Sequence, residues 1–524
     1  MVRHHGVKTR GLSKGIAAVP QGPLFEGRFG RMFREQPVFD VEDETLHALA
    51  DSMSQQSSEE NPNIPAGFTY LGQFVDHDIT FDPNSSLQRA NDPEGLVNFR
   101  NPRFDLDSLY GRGRDDSPYL YDQNSPDDVK LLVGRILDDQ GQRVEDQHDL
   151  PRNEQERALI GDPRNDENTF VSQLHLLFIK FHNKVVDKVI NDRPDLEGDD
   201  LFKEAHRIVR WHYQWVVVFD FLRRTIPEGM LDELLVEDAD GFREVQLKFY
   251  HPKPRPFMPV EFSVAAYRFG HSQVRGGYRL NRLVRAPTFR TAGDLAQQQN
   301  PRIADFRGFR ALPPCWTASW PFFFDMDGGQ EVDGQIVPQK SLKIDTNIAD
   351  PLAKALPDTD HTDPDDFSLP RRNLIRSKRL GLPSGQWVAR RMVPEDRVLT
   401  GPDLFPDQSD VRKFLEDKIG AEKLIKLGTD TPLWYYILRE AEVRQKGERL
   451  GEVGGRIVAE VLLGLLDSDP LSFLSVQPNW TPELAGGGNF TMAHLIRFAD
   501  PAAAEVHFGS PHASGDPCRE FASG

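Results

Sequence analysis

Apolar residues recur at helical spacing through much of the chain. Between residues 168 and 190, the positions Val171, Leu174, Leu177, Phe178 and Phe181 lie one to four apart along one face, which predicts an amphipathic helix. The same period predicts further helices over residues 43–53, 66–82, 200–224, 264–274, 301–311, 409–418, 432–446 and 452–467. Strand-like alternation is scarce and is clearest over residues 243–249. The pattern therefore predicts a mainly α fold.

Long polar segments separate these predicted helices. Residues 83–155 and 327–370 are rich in Asp, Pro, Gly and Asn, and we expect them to be largely irregular. Irregular segments of this length are usually held by something, such as a metal ion or a cofactor. We expect an N-terminal arm over residues 1–60, one large domain over residues 61–510, and a disordered tail over residues 511–524.

Composition and charge exclude several functions. A chain of 524 residues with 38% hydrophobic content can bury a large core. Its 63 basic and 81 acidic residues leave a net charge of −18. An acidic surface repels phosphate groups, so nucleic acid is not an expected partner. No run of about 18 apolar residues occurs, so a membrane span is not expected either.

The beginning of the chain and its cysteines bear on the location of the protein. The N-terminal residues include no apolar segment of the kind found in secretory signals, which favours a cytoplasmic location. The two cysteines, Cys315 and Cys518, are too few for a disulfide framework and favour a reducing compartment. No pattern indicates the oligomeric state.

The segment GQFVDHD at residues 72–78 is a polar cluster inside an apolar helix. His77 lies between the carboxylates of Asp76 and Asp78, and Gln73 lies one helical turn earlier. Burying an unpartnered polar group costs about 2–7 kcal/mol, so a buried cluster of this kind needs partners. A solvated helix face is the alternative, but the surrounding aromatic residues favour burial. The cluster is therefore a candidate site.

The segment NPRFDLDSLYG at residues 101–111 contains two closely spaced carboxylates, Asp105 and Asp107. Ca²⁺ takes six to eight oxygen ligands, and carboxylates with backbone carbonyls between them can supply several. The segment is not an EF-hand, because the third acidic position, the glycine and the closing Glu of that motif are missing. An ordinary Asp-rich loop is the alternative.

Two further segments carry candidate ligands. GDPRNDEN at residues 161–168 precedes the strongest predicted helix, which its Asp or Asn residues can cap. Arg164 is not a capping residue and adds positive charge at the positive end of the helix dipole, so we expect a negative group to face it. RFGH at residues 268–271 contains His271, which is either a core histidine or a metal ligand. A ligand role would require a hydrogen-bond partner for its other ring nitrogen.

Taken in order, these segments resemble the motifs of the animal haem peroxidases, in the peroxidase–cyclooxygenase superfamily. Further matches are His175 with His182-Asn183, NLIRS at residues 373–377 and GLP at residues 381–383. The resemblance extends from about residue 68 to residue 466 and is nearest to the lean bacterial members. It implies a helical fold around a buried haem. It also implies an enzyme that uses hydrogen peroxide to oxidise a small donor, such as a halide, thiocyanate, a phenol or an aromatic amine, through an oxoferryl intermediate.

The resemblance implies a role for each residue around the iron. His77 is the distal acid–base, and Arg164 stabilises the negative charge that develops on the breaking O–O bond. Gln73 lies over the haem and helps to hold water or a halide. On the opposite side, His271 is the axial ligand and Asn373 is its hydrogen-bond partner.

The resemblance also implies residues that hold the cofactors, which are Ca²⁺ and either haem b or an ester-linked haem derivative. Arg268 and Arg376 pair with the haem propionates, and Asp76 and Glu167 form the ester links. The implied calcium ligands are Asp78, Asn101, Arg103 through its carbonyl, Asp105 and Asp107. Because Asp78 follows His77 directly, the ion would hold the distal helix in place.

One segment departs from the family pattern. At residues 378–380 the chain has Lys-Arg-Leu, where the family commonly has Arg-Asp-His before Gly-Leu-Pro. The contribution of this segment therefore does not carry over from the resemblance.

Two other functions stay open. A haem-dependent fatty-acid dioxygenase of the same superfamily would use a radical tyrosine three residues before the axial histidine. Here that position is Arg268, and Tyr267 is expected to point elsewhere, which disfavours this chemistry. A non-catalytic haem- or calcium-binding protein is the other alternative. The presence of His77, Gln73 and Arg164 together disfavours it.

Overall fold

Helices form most of the regular structure, as the periodic apolar pattern predicts. The computed structural model describes residues 27–33, 35, 37, 39–54, 59–82, 96, 98–138, 140–253, 256–290, 304–326, 328–354, 368–484 and 487–506. The predicted tail at 511–524 lies outside the described residues, as do residues 1–26 of the predicted arm.

The α-helices, in chain order, are α1 (Asp43–Ser52), α2 (Gly67–Ile79), α3 (Asp107–Tyr110), α4 (Thr169–Asp192), α5 (Gly198–Val216), α6 (Arg223–Thr225), α7 (Met230–Leu234), α8 (Asp350–Lys354), α9 (Leu369–Arg379), α10 (Gly385–Met392), α11 (Gly401–Leu404), α12 (Asp410–Thr429), α13 (Leu433–Gln445), α14 (Glu452–Ser468), α15 (Phe473–Val476) and α16 (Met492–Ala499). Shorter 3₁₀ helices cover Pro118–Leu120, Pro126–Asp128, Pro163–Asp166, Ala266–His271, Trp320–Phe322, Glu395–Arg397 and Gly487–Asn489. Two segments are π-helical, Val217–Leu222 and Glu261–Ala265.

The strands are short and pair two by two. They are β1 (Phe29–Gly30), β2 (Glu60–Pro65), β3 (Leu235–Glu237), β4 (Arg243–Val245), β5 (Met258–Pro259), β6 (Gly277–Arg279), β7 (Arg285–Pro287), β8 (Gln330–Val332), β9 (Gln335–Val337) and β10 (Lys340–Leu342). β1 pairs with β5 in parallel. The antiparallel pairs are β2–β10, β3–β4, β6–β7 and β8–β9.

The predicted helix over residues 168–190 is α4, and it lies at the centre of the fold. Asn168 caps it by accepting hydrogen bonds from the backbone N–H groups of Phe170 and Val171. Its apolar stripe is buried and packs against α2, α5 and α16. Phe74 of α2 stacks on Phe178 of α4, with ring centroids 4.8 Å apart. α2, which carries the polar cluster, is thus fixed on a long rigid helix.

The predicted helix over residues 264–274 is wrong in type and in extent. A π-helical turn, Glu261–Ala265, leads into the 3₁₀ helix Ala266–His271, and regular structure ends there. The change occurs at Ala265, whose φ of −125° and ψ of −74° are not helical. The buried carboxylate of Glu261 accepts hydrogen bonds from the backbone N–H groups of Met32 and Phe33. Tertiary contacts of this kind override the helical period.

Two other predicted elements differ from the structure for the same kind of reason. Residues 304–311 are irregular, because the backbone around Phe306 and Gly308 bonds to residues 166–169 rather than within a helix; residues 301–303 lie outside the described residues. The predicted strand at 243–249 ends at Val245, because the backbone N–H groups of Lys248 and Phe249 donate to Glu460. The segment 327–370, expected to be irregular, contains β8, β9, β10 and α8.

The N-terminal arm is held against α9 by ion pairs. Asp51 of α1 pairs with Arg371, while Asp43 pairs with Lys378 and Arg379. Arg31 donates to the backbone carbonyl of Leu380, 2.9 Å away. The Lys-Arg-Leu segment that departs from the family pattern therefore anchors the arm.

Two remaining expectations can be compared with the structure. In the described part of the chain, no helix combines the length and the apolar character that a membrane crossing needs. Cys315 is disulfide-bonded, so the described residues include no free cysteine. The location of the protein stays a prediction.

Candidate active site

A cavity of about 510 Å³ lies between α2 and the 3₁₀ helix that ends at His271. His77, Gln73 and Arg164 line one side, and His271 and Asn373 line the other. The structure thus brings together five predicted site residues that are up to 300 positions apart in the sequence.

His77 is buried on α2 and is tied down through one ring nitrogen. Its Nδ1 lies 2.7 Å from Oδ1 of Asn165, and its Nε2 lies 3.9 Å from a carboxylate oxygen of Glu167. Burial, and next the positive charge of Arg164, lower the pKa of His77 to about 4. The imidazole is therefore neutral near pH 7, with Nδ1 as the donor to Asn165 and Nε2 as the free base.

Arg164 lies beside this base and is held by a buried carboxylate. Its Nη2 donates to Asp162 and to the backbone carbonyls of His77 and Thr80 at 2.7–2.9 Å. The guanidinium carbon lies 4.4 Å from the ring centroid of Phe81. Nη1 has no partner among the described residues, which leaves one end of the guanidinium available to a ligand in the cavity.

The remaining polar groups on this side form a connected set. Gln73 donates to Glu167 and accepts from Asn168 at 3.1 Å. Burial raises the pKa of Glu167 to about 7. Asp76, which also lines the cavity, accepts a hydrogen bond from the hydroxyl of Thr80 and lies 3.6 Å from Arg268. Gln73, Glu167 and Asp76 are therefore close enough to contact one ligand together.

On the opposite side, the Asn373 carboxamide lies against His271. Its Nδ2 is 2.8 Å from Nδ1 of His271. Turning the carboxamide over would place Oδ1 there, which is the arrangement required when Nδ1 carries the proton and Nε2 keeps its lone pair for a metal. Trp434 packs behind the imidazole edge-on, with ring centroids 6.3 Å apart, and donates to the carbonyl of Arg268. The imidazole is thus oriented from two directions.

Arginine side chains give the same side of the cavity an excess of positive charge. Arg268, Arg372 and Arg376 all line it. Burial lowers the pKa of Arg376 to about 10. The carboxylate of Asp82, 4.0 Å from Arg376, raises this pKa, and the positive charges of Arg268 and Arg372 lower it further. A ligand with carboxylate groups would relieve this repulsion.

Tyr267 also lines the cavity, so the expectation that it points elsewhere is wrong. Tyr267 and His271 are four residues apart, a spacing that places two side chains on the same face of an α-helix, so helical geometry does not support that expectation. The segment itself is a 3₁₀ helix that follows a π-turn. The hydroxyl of Tyr267 is buried near Gly72 of α2 and has no hydrogen-bond partner among the described residues.

The predicted calcium ligands lie close together near the C-terminal end of α2. Carboxylate oxygens of Asp78, Asp105 and Asp107 lie within 4.8 Å of one another. Both oxygens of Asp78 and Oδ1 of Asn101 are buried and have no partner at normal hydrogen-bond geometry among the described residues. Burial, and next the charge of Asp105, raise the pKa of Asp78 well above its usual range. These orphaned oxygens fit a hard cation such as Ca²⁺. Arg103 contacts Asp469 through its guanidinium, and the ligand role of its carbonyl stays a prediction.

Comparison with known proteins agrees with this geometry. The profile of the animal haem peroxidase family matches residues 91–384, more than half of the chain. The chain belongs to the animal haem peroxidase family.

Individual relatives cover different shares of the chain. A chorion peroxidase of Aedes aegypti is 32% identical over 119 residues, which are 23% of this chain and 15% of that protein. The match thus spans less than a fifth of the relative. Peroxidase A from Dictyostelium discoideum has a TM-score of 0.60 at 15% identity, over 96% of this chain and 94% of that one. A fatty acid alpha-dioxygenase of Oryza sativa has a TM-score of 0.62 at 16% identity, over 92% and 83%. Both structures show a shared mainly α fold.

Membership of the animal haem peroxidase family implies haem, and the residues present fit it. The cavity lies between two histidines, and an imidazole is a common axial ligand of haem iron. The excess positive charge around Arg268 and Arg376 suits the propionates. Nε of Arg268 donates a hydrogen bond to the backbone carbonyl of Ser263. The terminal nitrogens of Arg268 face Asp76 and the cavity.

The candidate site also contains residues to which the sequence alone assigned no role. Asp162 is fully buried and pairs with both Arg164 and Arg100, and Arg100 also pairs with Asp107 of the acidic cluster. This ion-pair chain connects the acidic cluster to the distal arginine. The loop that carries Arg100 and Asp107 crosses the loop that carries Asp162 at Gly161, where a Cβ would lie 2.5 Å from the carbonyl of Asp107. Only the charges in both loops hinted at the pairing.

Three other missed residues are Asn165, His175 and Trp434. Asn165 and His175 lie within motifs that the resemblance matched, but spacing does not show which of their neighbours face His77. Trp434 belongs to the apolar pattern of α13, which is equally consistent with an ordinary core residue.

We predict that Asp162→Asn lowers the free energy of unfolding by about 3–5 kcal/mol, because it removes the buried carboxylate that two partly buried guanidinium groups share and leaves Arg100 with Asp107 alone. Burial by itself raises the pKa of Asp162, but Arg164 and Arg100 outweigh burial and lower it below the usual range. The contribution is therefore present above the unfolded-state pKa of about 3.8 and is lost as the pH falls below it.

Urea unfolding at pH 7 measures this difference. The control is Asp195→Asn, which removes the exposed carboxylate that pairs with Arg193 and should change stability by less than about 1 kcal/mol. Equal effects of the two substitutions would contradict the importance of the buried pair.

Proposed function

We propose that the protein is a haem peroxidase that uses hydrogen peroxide to oxidise small electron donors. The observation that carries the proposal is the cavity that His77 and Arg164 line on one side and that His271 with Asn373 lines on the other. Bound haem would supply the redox-active iron that accepts the oxidising equivalents of peroxide and passes them to the donor. In the net reaction, peroxide takes two electrons from the donor and two protons and yields two waters.

His77 and Arg164 move the proton and the charge in this reaction. Nε2 of His77 would take a proton from one oxygen of the bound peroxide and return it to the other oxygen, which leaves as water when the O–O bond breaks. Negative charge develops on the leaving oxygen as the O–O bond breaks. Nη1 of Arg164, which has no partner among the described residues, stabilises that charge.

The residues that hold the cofactor follow from the same geometry. His271 would bind the iron through Nε2, with Asn373 fixing the proton on Nδ1. Arg268 and Arg376 would pair with the propionates. Asp76 and Glu167, on the distal side, would form the ester links. Each ester link to a haem methyl group would be a two-electron oxidation of that group, for which hydrogen peroxide would be the oxidant.

We predict that His77→Leu lowers kcat/KM for hydrogen peroxide by about 10²- to 10⁴-fold while the Soret absorption of the holoenzyme is retained, because the base is lost and the iron ligand is not. Steady-state rates with halides, thiocyanate and phenols in parallel measure this change and identify the donor class. The exposed His251, replaced by Ala, is the control and should leave the rates unchanged. A wild-type protein that binds haem and turns over none of these donors would instead support a non-catalytic role.

A second candidate function is the oxygenation of fatty acids. The presence of Tyr267 among the residues that line the cavity favours it, together with the fold shared with the fatty acid alpha-dioxygenase. Against it, the residue three positions before His271 is Arg268. Oxygen uptake with palmitic acid belongs in the same screen. Uptake that Tyr267→Phe abolishes, without peroxide turnover of the small donors, would make the dioxygenase the better assignment.

We also propose that the cluster of Asp78, Asp105 and Asp107 binds Ca²⁺, with Asn101 and the carbonyl of Arg103 as further ligands. Three mutually close carboxylates, one buried and two partly buried, repel one another unless a cation lies between them. Because Asp78 follows His77 on α2, the ion would also restrain the distal histidine.

The direction in which Asp105→Asn changes the free energy of unfolding tests the calcium proposal. With an ion present at about 100 times its Kd, removal by a chelator should lower the free energy of unfolding by about 2.7 kcal/mol, and Asp105→Asn should destabilise the protein similarly. Without an ion, Asp105→Asn should relieve carboxylate repulsion and stabilise it. Metal analysis and urea unfolding distinguish the two outcomes, with the exposed Asp417→Asn as the control.

A further inference from the structure

We propose that Asn165 and His175 are positioning residues that keep the ring proton of His77 on Nδ1, so that Nε2 faces the cavity as a base. The inference rests on the proposed peroxidase function. It concerns two residues that do not line the cavity and act only through His77.

Two hydrogen bonds in series connect the three side chains. Oδ1 of Asn165 lies 2.7 Å from Nδ1 of His77, and Nδ2 of Asn165 lies 3.0 Å from Nδ1 of His175. Asn165 is fully buried, and His175 is 1% exposed. Water therefore does not compete for either bond, and the geometry of each imidazole is set by the protein alone.

The carboxamide of Asn165 makes this series directional. It has a donor end and an acceptor end, so it can accept from one imidazole only while it donates to the other. In the structure, the acceptor end faces His77 and the donor end faces His175. His175 then accepts through Nδ1, and His77 must donate through Nδ1. The reversed series would place a proton on Nε2 of His77, where the group could not accept one from peroxide.

The supports of Asn165 and His175 are rigid. Asn165 belongs to the 3₁₀ helix Pro163–Asp166, which also carries Arg164, so one short element orients the base and supplies the cation beside it. His175 lies on α4, whose neighbouring Phe178 stacks on Phe74 of α2. α4 thus fixes both ends of the series, since α2 carries His77.

Neutral histidines suit this role. Burial lowers the pKa of His175 to about 3, so its Nδ1 remains an acceptor near pH 7. An acceptor is required at this position, because a protonated His175 would turn the carboxamide over.

Variants of both residues test the proposal in the holoenzyme. Asn165→Leu and His175→Leu remove the hydrogen bonds and should lower kcat/KM for hydrogen peroxide by about 10- to 100-fold, with KM for the electron donor unchanged. His175→Asn retains an amide oxygen near the position of Nδ1 and should recover most of the rate. The exposed Asn489→Ala is the control.

The carbon monoxide adduct of the reduced protein provides a readout that loss of packing would not produce. With the proton on Nδ1, His77 has no N–H to donate to bound carbon monoxide. In Asn165→Leu and His175→Leu the other tautomer becomes populated, and its Nε2–H should add a C–O stretching band at lower frequency. His175→Asn should show the wild-type band.

The outcomes separate the two proposals. A wild-type protein that does not react with peroxide contradicts the proposed function itself. If the wild type reacts and the Leu variants keep its rate and its C–O band, the positioning role is wrong. A lower rate with an unchanged band, and no recovery in His175→Asn, also contradicts it and indicates packing alone. If Asn165→Leu does not bind haem, the comparison of His175→Leu with His175→Asn decides.

Discussion

The pairing of the buried Asp162 carboxylate with two guanidinium groups is the interaction on which the distal side of the cavity depends. Asp162 is fully buried, and isolated charges are costly in such surroundings, so Arg100 and Arg164 must both stay in place to neutralise it. Arg100 in turn holds Asp107 of the acidic cluster. One carboxylate thereby fixes the position of Arg164 in the cavity relative to the cluster beneath α2. Arg164 and the candidate calcium site are parts of one electrostatic unit.

The regular elements could be predicted from the sequence where local and tertiary preferences agree. The apolar stripe of α4 and the cap at Asn168 define a helix that the structure contains, because the same residues form its buried face. Around His271 the two preferences conflict. The apolar spacing predicts an α-helix, but the contacts of Glu261 with the N-terminal arm accompany a π-turn and a 3₁₀ helix instead. Tyr267 lines the cavity, and its spacing of four residues from His271 is one that an α-helix would also place on the same face.

The site residues were predictable as motifs, and their connections were not. The motifs around His77, Arg164 and His271 locate the two sides of the cavity, since each combines a reactive side chain with a characteristic neighbour. The contacts of Asn165 with His77 and His175, and of Arg100 with Asp162, arise where separate segments cross. A single sequence contains no signal for such crossings. The shared fold also does not decide the chemistry, because peroxidase and dioxygenase structures both resemble this chain at similar TM-scores. The residues in the cavity must decide it.

The central claim is that haem is held between His77 and His271, with His271 as the ligand of the iron. The most direct measurement is the absorption spectrum of the purified protein reconstituted with haem, compared with that of His271→Ala. We expect the wild type to bind about one haem per chain with an intense Soret band. In His271→Ala, the Soret band should shift or be lost, and turnover should disappear with it. A His271→Ala protein with the haem content, Soret band and peroxide turnover of the wild type would contradict the account.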